Sequence, residues 1–428
     1  MAHRTISPQE YPAVPDQVRD DVNTQEWRGA SADILNVFTL FWSSFFTQAE
    51  RFRFTQIVSQ KDGRRPPSTH LPVYGRLVRC GPIEGIPVLP GTNLLLPPSF
   101  DSLARFGEGF GQRFIVTVDT EEEFDWSAPL DRHRHSTLSI PALQTFQRFC
   151  EAFGVVPIYL VDYPVADSPL AAEAIGEAVS AGRAEIGVQL HPWVNPPFDE
   201  TVTEYNSYAG NLGFDLEREK FARLYNRIVA AFGARPRIYR AGRYGLGPRT
   251  AEILAEFDLA IDTSVRARFD YSASGGPNYR HHPLHPYWAG DDRRLLELPL
   301  TTVYWGPLRQ LGNAIYPALW RIPRLRGALA RAGLLERIPL TPEGVTMEEA
   351  LRGIDVAIDA GLPVLVFSFH SPSLAPGFTP YVRSDRDLDA LYDWWRTIFA
   401  HLERRGVKPG NVANILSSVT LAQNELPS

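Results

Sequence analysis

Five places along this 428-residue chain set a polar or charged residue at the end of an apolar run. Asp119, with Glu121 two positions on, closes the run 114–118. His191 follows 185–190, Arg240 ends 236–240, Asp262 lies within 259–263, and His370 follows 364–369. These types suit proton-transfer catalysis. A carboxylate can take a proton, and an arginine beside it holds it ionised. A histidine with an ordinary pKa near ~6.5 can deliver one. One such residue means little. Five of complementary type would converge on one face if their strands ran parallel.

The elements that must carry them support parallel strands. Seven apolar runs, 113–118, 156–162, 185–190, 236–240, 259–263, 295–300 and 363–369, read as strands covered on both faces. Helical stretches alternate with them near 141–153, 169–181, 215–232, 248–257, 313–335, 347–360 and 385–404. Ser139 can cap the first, with Pro141 in its opening turn, and Thr346 with Glu349 spells a capping box. The fold class is therefore α/β, a parallel sheet either open or closed into a barrel. An irregular stretch, 266–293, interrupts the alternation.

Residues 1–110 read as an N-terminal extension, partly irregular, with one helix over 31–58. Residues 111–428 form the main domain. Within the extension, 34–46 is the most apolar stretch, but it is too short to span a bilayer and carries Asn36, Thr39, Ser43 and Ser44. The polar start predicts no secretory signal, and Cys80 and Cys150 make no disulfide framework. A cytoplasmic location, at most membrane-peripheral, is the expectation. The net charge of -6 gives no basic face for nucleic acid.

Five motifs stand in a telling order. They are Val118-Asp119-Thr120-Glu121-Glu122-Glu123-Phe124-Asp125-Trp126, Gln189-Leu190-His191-Pro192-Trp193-Val194-Asn195-Pro196-Pro197, Tyr239-Arg240-Ala241-Gly242-Arg243-Tyr244-Gly245, Asp262-Thr263-Ser264 and Phe367-Ser368-Phe369-His370. In this order, residues 112–420 resemble the polysaccharide deacetylases of carbohydrate esterase family 4, the NodB-homology fold, and most closely its WalW-type branch. The resemblance implies a distorted (β/α)7 barrel and removal of N-acetyl, or O-acetyl, groups from a glycan with a bound divalent metal. It implies Asp119 as base, Arg240 as its orienter, and His370 as acid tuned by Asp262. The backbone N–H of Tyr244 would help hold the oxyanion. Trp126 and Trp193 join the expected sugar contacts, since sugar rings stack on such side chains.

The metal ligands depart from the family pattern. The acid expected directly after the base is replaced by Thr120, which makes Glu121 the candidate ligand. Two histidines four apart are expected, but only His191 is present. Aligned on the trailing proline, the pair becomes His191 and Asn195; aligned on Glu185-Ile186-Gly187, Gln189 takes the first place. An amide oxygen binds zinc less well than imidazole, so zinc, another first-row ion, a harder metal or a metal-free site all stay open.

The remaining features have plain readings. Glu122 and Glu123 read as a solvated turn. His281, His282 and His285 lack a fixed spacing for a metal. Arginines near 321–337 read as water-facing, with an anionic glycan or lipid surface as alternatives. Two rivals accompany the deacetylase reading. One is a glycoside hydrolase pairing Glu121 or Glu123 with Asp262. The other is a degenerate barrel that binds glycan or organises its assembly.

Overall fold

Seven of the eight residues of β1 (Arg113–Thr120) are buried, because this strand is covered on both faces. Alternation sorts its side chains. Phe114, Val116 and Val118 pack outward under the helices. Ile115 packs inward against Ile158, Ile238, Ile261, Leu296 and Val366. Thr117 and Asp119 share that inward parity.

The computed structural model describes residues 93–420, apart from 291–293 and 321. The predicted helix over 31–58 and the apolar stretch 34–46 lie outside the described residues. Of the predicted extension, only 93–110 is described. It contributes a 3-10 turn, Phe100–Ser102, and a short strand, Arg105–Phe106, which pairs antiparallel with Val419–Thr420. No described helix is long and apolar enough to cross a membrane.

The other main strands are β2 (Ile158–Val161), β3 (Glu185–Leu190), β4 (Ile238–Ala241), β5 (Ile261–Asp262), β6 (Leu295–Glu297) and β7 (Val364–His370). They stand in the order β7-β1-β2-β3-β4-β5-β6, and every adjacent pair is parallel. Tyr287–Ala289 adds an antiparallel edge to β6. No ladder joins β6 to β7. Instead Thr301 bridges the seam: its N–H donates to Val366 O at 3.3 Å, and its Oγ1 accepts from Val366 N at 2.9 Å. The result is a curled parallel sheet consistent with the distorted (β/α)7 barrel that the resemblance implies.

The helices depart from expectation at two places. The segment predicted as one helix, 313–335, is two, Gly312–Trp320 and Pro323–Arg331. Proline lacks an N–H and suits a first turn, so the second helix starts at Pro323. This insertion is closed by an antiparallel pair, Thr302–Trp305 with Glu336–Pro339. Ser139 does not cap Ala142–Ala152; its hydroxyl donates to Glu123 instead. The capping box at Met347–Asp359 forms as predicted, with Glu349 Oε2 accepting from Thr346 N at 2.7 Å.

Candidate active site

The register of β7 against β1 sets His370 directly beside Asp119. Adjacent strands lie roughly 4.8 Å apart, so a carboxylate and an imidazole share one edge of the barrel mouth. Asp119 is buried and ion-paired to Arg240 Nη1, with Ser368 Oγ 3.4 Å from its other oxygen. Arg240 is fully buried. Its remaining N–H groups reach Thr263 O at 3.0 Å, Ser368 Oγ at 3.0 Å and Thr117 Oγ1 at 2.8 Å. A buried guanidinium with this many acceptors has one orientation, and it fixes one carboxylate oxygen of Asp119.

Glu121 is buried a short way along. Its neighbours are loose: Gln189 Nε2 at 3.4 Å and His191 Nε2 at 3.5 Å. Burial pushes its carboxyl up to about 7, against the opposing charges of His370 and His191. His191 is held from behind. Its Nδ1 lies 2.9 Å from Glu122 Oε2, and its ring stacks on Trp193 at 4.4 Å. Gly242 closes the other side. A Cβ there would lie 2.4 Å from His191 Cδ2 and 2.6 Å from Leu190 O, so only glycine fits.

Glu122 is fully buried, which corrects the reading of a solvated turn. Trp193 Nε1 donates to it at 2.9 Å, and its own N–H donates to Asp162 Oδ2 at 2.8 Å. Burial pushes Glu122 up to about 8 and raises Asp162 well above the usual carboxylate range. Glu122, Asp162 and His191 form a buried group whose donor atoms lie within 4.8 Å of one another and could hold a metal. Glu122 carried no signal in the sequence, since its partners Asp162, His191 and Trp193 come from distant segments; Asp162 closes the apolar run 156–162 as the other strand-end residues close theirs, and the sequence reading passed over it.

Glu123 is likewise no solvated residue. It accepts from Leu138 N at 2.9 Å and Ser139 N at 2.6 Å, and pins the hairpin Glu123–Phe124 with His135–Ser136. Asn195 is buried too. Its Nδ2 donates to Lys220 O at 2.9 Å and Pro196 O at 2.8 Å, while its Oδ1 has no partner. Lys220, itself fully buried, ties down the same loop through the carbonyls of Pro192 and Asn195 and the carboxylate of Glu200.

Asp262 does not tune His370. It pairs with Tyr239 and Glu297 in the ladder, so it points to the outer face of β5; Thr263 takes the inner one. There Ser264 Oγ donates to it at 2.5 Å, and Ser264 in turn accepts from Ala241 N at 2.8 Å. Burial raises Asp262, and burial with the adjacent Asp262 charge raises Glu297 well above the usual range. With Asp262 outside and Glu123 spent on its hairpin, the carboxylate pair of the glycoside hydrolase rival does not face one cleft.

The carboxylate that meets His370 is Glu343, which the sequence reading passed over. His370 Nδ1 lies 2.6 Å from Glu343 Oε2, and Ser373 Oγ donates to Oε1 at 2.6 Å. Burial alone would lower the imidazole pKa; the charges of Glu343 and Glu121 outweigh it and push it up to about 10. His370 keeps 23% of its side chain exposed.

The aromatic residues divide. Trp126 stands edge-on to His370 at 5.1 Å and to Tyr381 at 5.9 Å, on the rim. Trp193 is buried and spent on Glu122 and His191, which leaves no ring face for a sugar. Tyr244 is half-buried with φ 62, next to Arg243 at φ 53. Two successive non-glycine residues in the left-handed region strain the loop after β4. His282 is a core residue bonded to Leu94 O at 3.2 Å, not part of a histidine site.

No family model and no curated protein matches the sequence. Solved structures do resemble the fold. Its structural neighbours include family 4 carbohydrate esterases, all at low identity. One, from Streptomyces lividans, is 11% identical over 72% of this chain and 97% of its own, with a TM-score of 0.35. A family 4 pseudoenzyme from Bacillus anthracis is 9% identical over 72% of this chain and 66% of its own, at 0.33. The PuuE allantoinase is 13% identical over 72% of this chain and 91% of its own, at 0.40.

Proposed function

We propose that this chain is a hydrolase that removes N-acetyl, or O-acetyl, groups from a glycan. The observation that carries this reading is the in-register pair Asp119 and His370, one tied to Arg240 and the other to Glu343. Arg240 occupies one oxygen of Asp119 and leaves the other to take a proton from water. Glu343 fixes the Nδ1–H of His370, so the second imidazole nitrogen faces the leaving amine. Protonated at neutral pH, it can donate there. In this reading the backbone N–H of Tyr244, in the strained turn after β4, would help hold the developing oxyanion.

The residues present fit a divalent ion at Glu121 and His191 Nε2. Glu122 takes the Nδ1–H, the second contact that metal-binding histidines usually make. Glu121 has loosely held oxygens, whereas those of Glu122 and Asp162 already accept N–H bonds at 2.8–2.9 Å. When bound, such an ion would supply Lewis acidity toward a carbonyl oxygen.

A second reading is a glycan-binding protein without turnover. Asn195 favours it, because an amide, a weaker ligand than imidazole, stands where a second histidine is expected, with its nitrogen held by two carbonyls. Metal content of gently purified protein decides first, beside a Glu121→Ala/His191→Ala double variant. Near one ion per chain, lost in the variant, supports the hydrolase; acetate release from acetylated chitooligosaccharides, abolished in Asp119→Asn, completes the case. Sugar binding with no acetate after soaking in zinc, cobalt and manganese moves the assignment to the binding protein.

A further inference from the structure

Three arginines beside the barrel mouth lack a counter-charge. Arg266, Arg268 and Arg337 are half-buried, and among the described residues none of them pairs with a carboxylate. Aromatic rings hold them instead. The guanidinium of Arg266 lies 3.9 Å from the Phe269 ring centre and 5.2 Å from that of Tyr244, and it donates to Tyr271 Oη at 3.1 Å. That of Arg337 lies 3.6 Å from the same Phe269 ring and 4.6 Å from Tyr316, and it donates to Arg268 O at 3.1 Å. Arg268 lies over Tyr304 at 4.6 Å, in the left-handed region at φ 73. Of these, Arg337 belongs to the run near 321–337 that reads as water-facing, and it is half-buried instead.

Grouping like charges in a partly desolvated place is unfavourable. Cation–π contacts offset only part of that cost. Acidic residues outnumber basic ones in this chain, 49 to 43, yet among the described residues no carboxylate pairs with these three. Burial lowers the pKa of Arg337 and takes that of Arg268 down to about 10, and both stay charged at neutral pH. The guanidinium fork matches a carboxylate or a phosphate, and the rings beside it offer faces to a sugar. Tyr244 joins this cluster to the turn that follows Arg240.

We infer that Arg266, Arg268 and Arg337 form a subsite for an anionic group, a carboxylate or a phosphate, on the glycan whose neighbouring sugar occupies the Asp119–His370 cleft. The inference rests on the glycan reading of that cleft, but not on turnover.

The test is equilibrium binding to the full chain by calorimetry at low salt. The probes are a hyaluronan tetrasaccharide (glucuronate alternating with N-acetylglucosamine), N-acetylglucosamine 1-phosphate, and neutral, fully N-acetylated chitotetraose. An anionic probe should bind at least ~10-fold tighter than chitotetraose, an advantage that fades toward ~1 M salt. Arg266→Gln/Arg337→Gln should remove that advantage and leave chitotetraose unchanged. Preference for the tetrasaccharide assigns a carboxylate; preference for the sugar phosphate assigns a phosphate. Should the double variant not fold by thermal melting, the salt dependence of the wild type decides. Equal binding of charged and neutral probes, no binding of either anionic probe, or a preference that survives the double variant overturns the subsite. An intact preference without acetate release overturns the hydrolase and leaves the subsite standing.

Discussion

His370 Nδ1 lies 2.6 Å from Glu343 Oε2, and the backbone N–H of His370 donates to the other oxygen of the same carboxylate at 3.2 Å. One acid therefore fixes both the ring and the main chain at the end of β7. Glu343 sits in a loop just before helix Met347–Asp359, a place where nothing in the local pattern marks an active-site residue.

Replacing Glu343 by Gln should bring the His370 pKa down from about 10 toward ~6.5, read by NMR titration of the imidazole. The folded value lies above the unfolded one. The stabilisation is therefore complete below ~6.5 and is lost as pH rises through about 10. At neutral pH the variant should lose about 1–3 kcal/mol in denaturant melts. An unmoved titration would remove Glu343 from the site.

Asp119→Asn leaves Arg240 buried without its counter-charge. The expected cost is about 3–5 kcal/mol of stability, with acetate release down at least ~100-fold. A double-mutant cycle with Arg240→Met separates the two effects. Strong coupling between the positions identifies the pair, and additivity would contradict the geometry.

Glu121 and Glu122 titrate near 7 and 8 in the folded chain, against 4.5 as ordinary glutamates. The folded state thus keeps protons that the unfolded chain has released. Stability present below ~4.5 should fall as pH rises through about 8. In chelator-treated protein the melting temperature should be lower at pH 8 than at pH 5, and Glu122→Gln should flatten that slope. A divalent ion needs the ionised forms, so its binding should release protons in a pH-stat.

Gly242→Ala places a methyl group against His191 and the Leu190 carbonyl. The ring has no room to retreat, because Trp193 stacks on it. We expect roughly 1–3 kcal/mol of destabilisation and weaker metal uptake. Wild-type melting and metal content in this variant would show that the ring is not clamped.

The barrel was legible in the chain because strands buried on both faces must be apolar throughout. Seven such runs separated by helical patterns leave little choice but parallel pairing. The ends of those runs pointed to Asp119, His191, Arg240 and His370, since a polar residue closing a buried strand stands out. Side-chain direction was less legible. Asp262 closes its strand too, yet one step of alternation turns it outward and gives the inner place to Thr263, so strand parity had to be seen against Arg240.

Partners that meet across long sequence separations were decided only by the tertiary structure. Glu122 looks like one of two solvated acids until the end of β3 brings His191 and Trp193 against it. Glu343 looks like a loop acid until β7 ends beside it. The same holds for the arginines at 266, 268 and 337, whose want of carboxylate partners appears only when the insertion after β6 folds back onto Phe269. Periodicity records which residues must leave water. Which buried charge finds a partner, and which is left for a ligand, is set by contacts between segments whose spacing in the chain carries no trace of the meeting.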